Sequence, residues 1–337
     1  MLSNDLVDWH CIHLDQGYAA FHENDFHTAL VEFDMALAID DRPMARWDRA
    51  LTLLAMGRYA EGFREWRTNW QIYRAEITER GQRLYFDEHR PVWKGEPGRV
   101  LVLGEAGFGD QVQMLRFVSP SMVLDMPKPM QRLAAQVAPL AESDDCDFVC
   151  PMFDIPAVLR VTPETIPSPP YLKPDPALIL EWANRIGNGG RRRIGIAWST
   201  KFEETYEHPN ARRAVPLDQF LSLLNAPPDS ELYSLQTQEA GFAITRGVRV
   251  FEFADFADVA ALASLMDVVV AIDSAQLHVA GAIGHPLVFG LLPYSPTWRW
   301  LDPCWYPELK QCRCDAPGDW ASAFAKVKNG QRANQNL

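Results

Sequence analysis

The chain has 337 residues, a formal net charge of -12, and 47% hydrophobic against 23% charged residues. That length divides into two or three domains with enough apolar material for real cores, and the acidic balance argues against general attraction to nucleic acid, leaving only a local basic patch for a phosphorylated ligand. No apolar run reaches a membrane span and the opening MLSNDLVDWH lacks a signal peptide's pattern, so a cytoplasmic protein without an integral membrane segment is expected.

Residues 13 to 80 carry a helical pattern with an internal repeat. Phe26, Ala29 and Phe33 recur as Tyr59, Gly62 and Trp66, and Gly17 recurs as Ala50, each pair 33 residues apart. A small residue on one helix and an aromatic-x-x-small-x-x-x-aromatic pattern on the next resemble tetratricopeptide repeats, two of which fit here. Tyr59, Phe63, Trp66, Trp70 and Tyr73 fall on one helix face, which reads as core or as a domain seam, with a ligand groove as the alternative. So few repeats cannot readily bury a continuous core, so this all-α domain, residues 1 to 90, is expected to dock on the remainder of the chain. The segment DEHRPVWKGEP then breaks the pattern as a linker would.

Two α/β series come next. In the first, residues 98 to 175, GRVLVLGEAGFGDQVQMLRFVSP reads as strand, glycine turn and helix, SMVLDMP as a strand and KPMQRLAAQVAPLA as a helix. The proline-rich IPSPPYLKPDPAL leads into the second, residues 176 to 330, where RRIGIAWS, ELYSLQ, VRVFEF, VVVAID and PLVFGLL read as short buried strands separated by helices such as PLDQFLSLLNA and DVAALASLM. Such alternation implies parallel sheets with crossover helices, and two such domains would face each other across a cleft at their carboxyl edges.

The glycine turn GEAGFGD runs G-x-x-G-x-G, the wrong order for a dinucleotide fingerprint, and places Asp110 where a pyrophosphate would approach the helix start. An acid there is better suited to accepting a proton, although Asp110 could equally cap its helix. Asp125 alone favours a dinucleotide reading. The stretch AIDSAQLHVAGAIGHP is a strand, a turn at Asp273 and Ser274, then a small-residue helix. Amides at that start, together with the Ser274 hydroxyl, would hold a diphosphate, with His278 four residues on along the same face. There is no phosphate-loop G-K-[ST] and no G-x-S-x-G elbow. The six cysteines form no paired framework, so no metal is expected.

The runs GRYAEGFREWRTNW, PVWKGEP, GEAGFGDQVQMLRFV, IPSPPYLKPDP, GIAWS, RRAVPL, YSLQ, IDSAQLHVAGAIGHPLVFGLLPYSPTWRW and WYPELKQCR together resemble bacterial proteins that fuse tetratricopeptide repeats to a heptosyltransferase-type, family 9-like glycosyltransferase domain. The resemblance implies a GT-B fold: two Rossmann-like domains, with the nucleotide-sugar donor held by the second. It also implies inverting transfer without a metal or further cofactor. By position, Asp110 falls where that family keeps its proposed catalytic base. Asp273, Ser274, Ala275 and His278 fall in its D-[ST]-x-x-x-H segment beside the donor diphosphate. Lys201, Arg212, Arg213 and Arg299 are the cations expected to neutralise the leaving phosphate, and Gln236 is expected at base or ribose. Gly107, Gly109, Gln111, Gln113, Trp198 and Trp298 are the remaining expected cleft residues. The acceptor would be a glycan or protein hydroxyl, with the helical repeats available to a protein partner. Ala214 and Thr297 depart from the family pattern and the first Rossmann-like domain is short. These departures favour the alternative, a non-catalytic scaffold or binding protein on a degenerate transferase domain.

Overall fold

The computed structural model describes residues 8–68, 90–141, 145–200 and 211–335, with side chains up to residue 332. Those residues divide into two compact units. One comprises residues 8–68, 153–166 and 297–302, the other residues 90–141, 145–152, 167–200, 211–296 and 303–335.

The first unit is helical. It contains α1 (Trp9–His22), α2 (Phe26–Ile39), α3 (Pro43–Ala55), α4 (described over residues 59–68) and, from later in the chain, α7 (Asp154–Leu159). The starts are set by sequence: Asp8 and Asp25 accept hydrogen bonds from the Cys11 and Thr28 amides, and Pro43 occupies the first turn of α3, where its missing N–H removes nothing. The aromatic face of α4 is core. Tyr59 and Phe63 pack on Trp298 at 6.4 and 5.6 Å, and Trp66 lies against Trp47 at 4.1 Å and stacks on Phe153 at 4.7 Å. The helical region is thus completed by two segments that sequence reading places in the α/β series. Trp70 and Tyr73, the rest of the expected stripe, lie outside the described residues.

The second unit holds both sheets. β1 (Val100–Leu103), α5 (Phe108–Met114), β2 (Val123–Asp125), α6 (Gln131–Ala134) and β3 (Phe148–Pro151) form a parallel three-stranded sheet in the order β2-β1-β3. The larger sheet is built from α8 (Pro176–Ile186), β4 (Arg192–Ala197), α9 (Leu217–Leu224), β5 (Ser230–Ser234), α10 (Ala240–Thr245), α11 (Phe256–Ser264), β6 (Val268–Ile272), α12 (Ala275–Ala282), β7 (Val288–Leu292), β8 (Lys310–Arg313) and α13 (Trp320–Gln335). Its order is β5-β4-β6-β7-β8, all parallel. All five residues of β6 are buried, the continuous apolar run required of a central strand covered on both faces.

Two expectations are corrected here. The stretch VRVFEF is not a strand: it makes a single rung beside β5, Tyr233 with Arg249, because its alternate aromatics Phe251 and Phe253 pack on Trp182 of α8 at 5.5 and 5.4 Å. The fifth strand is instead β8, whose half-polar KQCR gives a weak period-2 signal. The helix expected over KPMQRLAAQVAPLA is only the four residues of α6, preceded by a 3-10 turn at Lys128–Met130, since Pro129 and Pro139 bound it.

In both sheets the chain leaves the first strand to one side and later returns to the other, giving switch points between β1 and β3 and between β4 and β6. Loops at the carboxyl ends of strands beside such points are where open α/β sheets bind ligands. The turn containing Asp110 comes after β1, the Trp198–Ser199 loop after β4, and Asp273–Ser274 after β6.

Candidate functional site

The turn before α5 is shaped by its backbone. Ala106 sits at φ 59°, a left-handed conformation that costs an L side chain about 1 kcal/mol or more. It is followed by Gly107 as N-cap of α5, and the Asp110 carboxylate accepts a hydrogen bond from the Gly107 amide at 2.9 Å. Asp110 therefore caps its own helix, and the bond fixes the direction in which the carboxylate points.

Gly109, in the first turn of α5, is a position with no room for a side chain. A Cβ there would lie 2.6 Å from His278 Cδ2 and 3.3 Å from Ala275 Cα. The starts of α5 and α12 thus meet, bringing together residues more than 160 positions apart in sequence. Gly107, Gly109, Asp110, Ala275 and His278, all expected at one site, share one neighbourhood.

At the start of α12 the Ser274 hydroxyl donates to the Ile272 carbonyl at 2.9 Å and makes no cap bond to the helix. The expectation that this hydroxyl donates to a diphosphate is thereby revised: its hydrogen belongs to the preceding strand end, and the amides of the first turn carry no side-chain cap. Asp273 is 2% exposed, with Oδ2 3.5 Å from Arg213 Nη1. The almost buried carboxylate thus forms an ion pair with the Arg213 guanidinium without a hydrogen bond at Oδ2 among the described residues. Lys201 lies outside the described residues.

Gln236 has both ends of its amide engaged. Oε1 accepts from the Trp198 and Ser199 amides at 2.7 and 3.0 Å, and Nε2 donates to Ser199 Oγ at 2.9 Å. It holds the loop after β4 in shape. Trp198 is fully buried in the core of the larger sheet and donates through its indole N–H to Glu239 at 2.8 Å, so its expected place as a cleft residue gives way to a packing role. Arg299, expected at the donor, and Trp298, expected as a further cleft residue, belong to the helical unit: Trp298 is in that core, and the Arg299 guanidinium lies over the Trp298 and Phe153 rings at 4.6 and 5.9 Å. Gln111 and Gln113 are buried on α5. Gln111 Nε2 has one long bond, to Ala106 O at 3.4 Å, and the Gln113 side chain has no hydrogen-bond partner among the described residues.

Sequence reading missed the group that anchors His278. Arg116, 6% exposed, donates through Nε to the Gln113 carbonyl at 3.0 Å, through Nη1 to the Trp305 carbonyl at 2.7 Å, and through Nη2 to Tyr171 Oη at 3.2 Å. Its guanidinium lies over the Tyr171 and Tyr306 rings, 4.7 Å from each centroid. Tyr171 donates to the Val112 carbonyl at 3.0 Å and lies 3.1 Å from Tyr306 Oη, which is 3.0 Å from His278 Nδ1. Tyr306 reaches that point because Gly281 on α12 has no side chain: a Cβ there would be 2.5 Å from the Tyr306 ring. Burial holds the Tyr306 phenol well above its ordinary pKa, so it keeps its proton. These partners come from segments 55 to 189 positions apart, and only the aromatic content of the prolines' neighbour Tyr171 and of WYPELKQCR hinted at them.

Parallel sheets of this order, with a helix start and an acid at each carboxyl edge, define an α/β protein of the GT-B arrangement preceded by helices. No protein-family profile matches the chain. It is 23% identical over 372 residues to protein FlbA of Caulobacter vibrioides, a match that takes in 94% of this chain and 60% of that protein, so the chain spans about three fifths of the relative's length. Among solved structures, the family 9 glycosyl transferase of Veillonella parvula covers 71% of this chain and 98% of its own at 10% identity, with a TM-score of 0.50. The ADP-heptose lps heptosyltransferase II of E. coli covers 71% and 100% at 12% identity, with a TM-score of 0.49. At such identities the likeness to the Veillonella protein is one of fold, and it fits the two parallel sheets seen here. Among the described residues no helix is long and apolar enough to cross a membrane.

Proposed function

We propose that the protein is a cytoplasmic, inverting, metal-independent glycosyltransferase that moves a hexosyl- or heptosyl-type sugar from a nucleoside-diphosphate sugar to a hydroxyl of a glycan or protein. The observation that carries this reading is the meeting of the α5 and α12 starts at Gly109, Ala275 and His278, which sets a directed carboxylate beside a helix N-terminus without a side-chain cap. A helix start with open amides and a positive dipole end is suited to a leaving diphosphate. Arg213, ion-paired with Asp273, adds the neutralising charge in the absence of a metal, and Asp110 removes the acceptor proton as the sugar takes on positive character. The nucleotide-sugar is the only co-substrate required. The helical unit, with its two repeat-like hairpins, would receive the acceptor or a protein partner.

The test is a panel of UDP, GDP, ADP, CMP and dTDP sugars, following thermal shift and nucleotide release with and without cell extract as acceptor source. Selective stabilisation by one nucleotide is expected, with extract-dependent release that drops about 100-fold or more in Asp110→Asn while nucleotide binding persists. Full turnover by Asp110→Asn would reduce Asp110 to the helix cap it already is, and silence across the panel would favour the non-catalytic binding protein.

A further inference from the structure

The hydrogens available around Tyr306 dictate the state of the histidine beside it. Three contacts must be served: Tyr171 Oη to the Val112 carbonyl, Tyr171 Oη to Tyr306 Oη, and Tyr306 Oη to His278 Nδ1, at 3.0, 3.1 and 3.0 Å. Each phenol owns one hydrogen, the carbonyl owns none, and Arg116 can only donate. The Arg116 bond to Tyr171 Oη occupies a lone pair and supplies nothing onward.

If Tyr171 donates to Val112, only the Tyr306 hydrogen can serve the contact between the phenols, and the third contact is then donated by His278 Nδ1; were Tyr306 to turn its hydrogen to Nδ1 instead, two phenol oxygens 3.1 Å apart would have none between them. If instead Tyr171 donates to Tyr306, two oxygens face each other at Val112 with no hydrogen between them, a buried repulsion of the kind native interiors avoid. Only the arrangement in which His278 Nδ1 donates serves all three contacts. Tyr306 keeps its proton because burial raises its pKa.

We propose that Tyr306 and Tyr171 are positioning residues that lock His278 in the Nδ1–H tautomer, making Nε2 the proton acceptor of the ring. The Nε2 edge faces the glycine turn, 3.4 Å from where a Gly109 Cβ would lie. Neutral His278 therefore accepts a hydrogen bond from a hydroxyl or amide and repels a phosphate oxygen. It becomes a donor to phosphate only after taking up a proton at Nε2. This refines the proposed function, on which its catalytic relevance rests, by making His278 a conditional rather than a fixed phosphate ligand.

The experiment uses the full-length, ligand-free protein labelled with 15N at histidine, its long-range 1H–15N spectrum recorded near pH 8.5, about two pH units above the ordinary imidazole pKa. His278 is assigned by the signal lost in His278→Asn. The expected wild-type pattern is a pyrrole-like Nδ1 and a pyridine-like Nε2. Tyr306→Phe removes the acceptor, and both nitrogens should move to the averaged shifts of a tautomer mixture. Tyr171→Phe frees the Tyr306 hydrogen to turn to Nδ1, so the pattern should reverse to Nε2–H; this variant keeps the ring under Arg116. A wild-type Nε2–H signature, or an unchanged Tyr171→Phe spectrum, would overturn the assignment. Since no nucleotide is present, failure here is distinct from silence in the nucleotide panel.

Discussion

Asp258 and Asp154 are both buried carboxylates near helix starts, one in the two-sheet unit and one in the helical unit, and their surroundings differ. Asp258 accepts from the Ala254 amide at 2.7 Å, from Trp182 Nε1 at 3.3 Å and from Arg132 Nη2 at 3.0 Å. Asp154 is 1% exposed, has Arg67 Nε 3.2 Å away, and accepts no aligned hydrogen bond among the described residues. Burial pushes Asp154 up to about 7, against the smaller opposing pull of Arg67, and burial alone pushes Asp48 of α3 to about 7 as well. In the two-sheet unit Asp258, Arg116 and Gln236 are each hydrogen-bonded to segments remote in sequence and so hold those segments in place. The helical unit contains carboxylates that prefer to be neutral.

The largest expected effect arises from that difference. A folded-state pKa of about 7 lies above the ordinary carboxylate value of 3.8, so the folded helical unit holds protons that the unfolded chain releases. The stability they contribute is fully present below about pH 4, declines as pH rises through about 7, and is lost above it. The ceiling is about 4 kcal/mol for each carboxylate. Hydrogen exchange of α2 to α4 peptides should therefore be slower at pH 5 than at pH 8 after correction for the intrinsic rate, and Asp48→Asn with Asp154→Asn should flatten the profile. Equal pH dependence in β4 and β6 peptides would erase the contrast between the units.

Next in size is Trp298→Ala, which empties the place against Tyr59 and Phe63 and should cost the helical unit about 3 to 5 kcal/mol. Protection in α3 and α4 should fall while nucleotide affinity in the panel holds. A loss of nucleotide binding at unchanged helix protection would instead return Trp298 to the cleft. A smaller effect with a sign contrast separates the two carboxylates. Asp258→Ala strands the Trp182 indole and the Ala254 amide, while Arg132 keeps its two bonds to Asp255, and should cost about 1 to 3 kcal/mol, whereas Asp154→Asn at pH 8 should be neutral or stabilising in chemical denaturation. Equal losses would mean that Asp154 is as well paired as Asp258.

How far the sequence spoke depends on the range of each interaction. Period-2 and period-3.6 patterns are local, so β4, β6, β7, α9 and α11 were legible, as were the strand-turn-helix units that carry Asp110 and Asp273. VRVFEF misled because its apolar alternation serves packing on Trp182 rather than a ladder. The Arg116, Tyr171 and Tyr306 cluster was invisible because its partners are remote in sequence and none has a spacing rule. The TWRW segment read as part of the donor site because nothing in a linear pattern says that an aromatic run will complete a helical core begun over 200 residues earlier. Gln236 was legible as a strand-end amide, but its role as the staple of the β4 loop needed three dimensions.

The smallest predicted effect tests the contact on which the site depends. Gly109→Ala would place a methyl 2.6 Å from His278 Cδ2 and 3.3 Å from Ala275 Cα. The histidine cannot swing aside without breaking its 3.0 Å bond to Tyr306, and the other neighbour is backbone, so the start of α5 must move away from α12. Overpacking of this kind costs about 1 to 3 kcal/mol, and it works against a gain of up to about 1 kcal/mol from replacing a helical glycine by alanine. A net loss of stability therefore measures the clash rather than the helix. Nucleotide affinity should fall as well, because the carboxylate on α5 and the amides of α12 would no longer share one ligand. A variant that melts higher and binds nucleotide as tightly as the parent would mean that the two helix starts stand apart in solution, and the pairing of Asp110 with a diphosphate on α12 would lose its geometric basis.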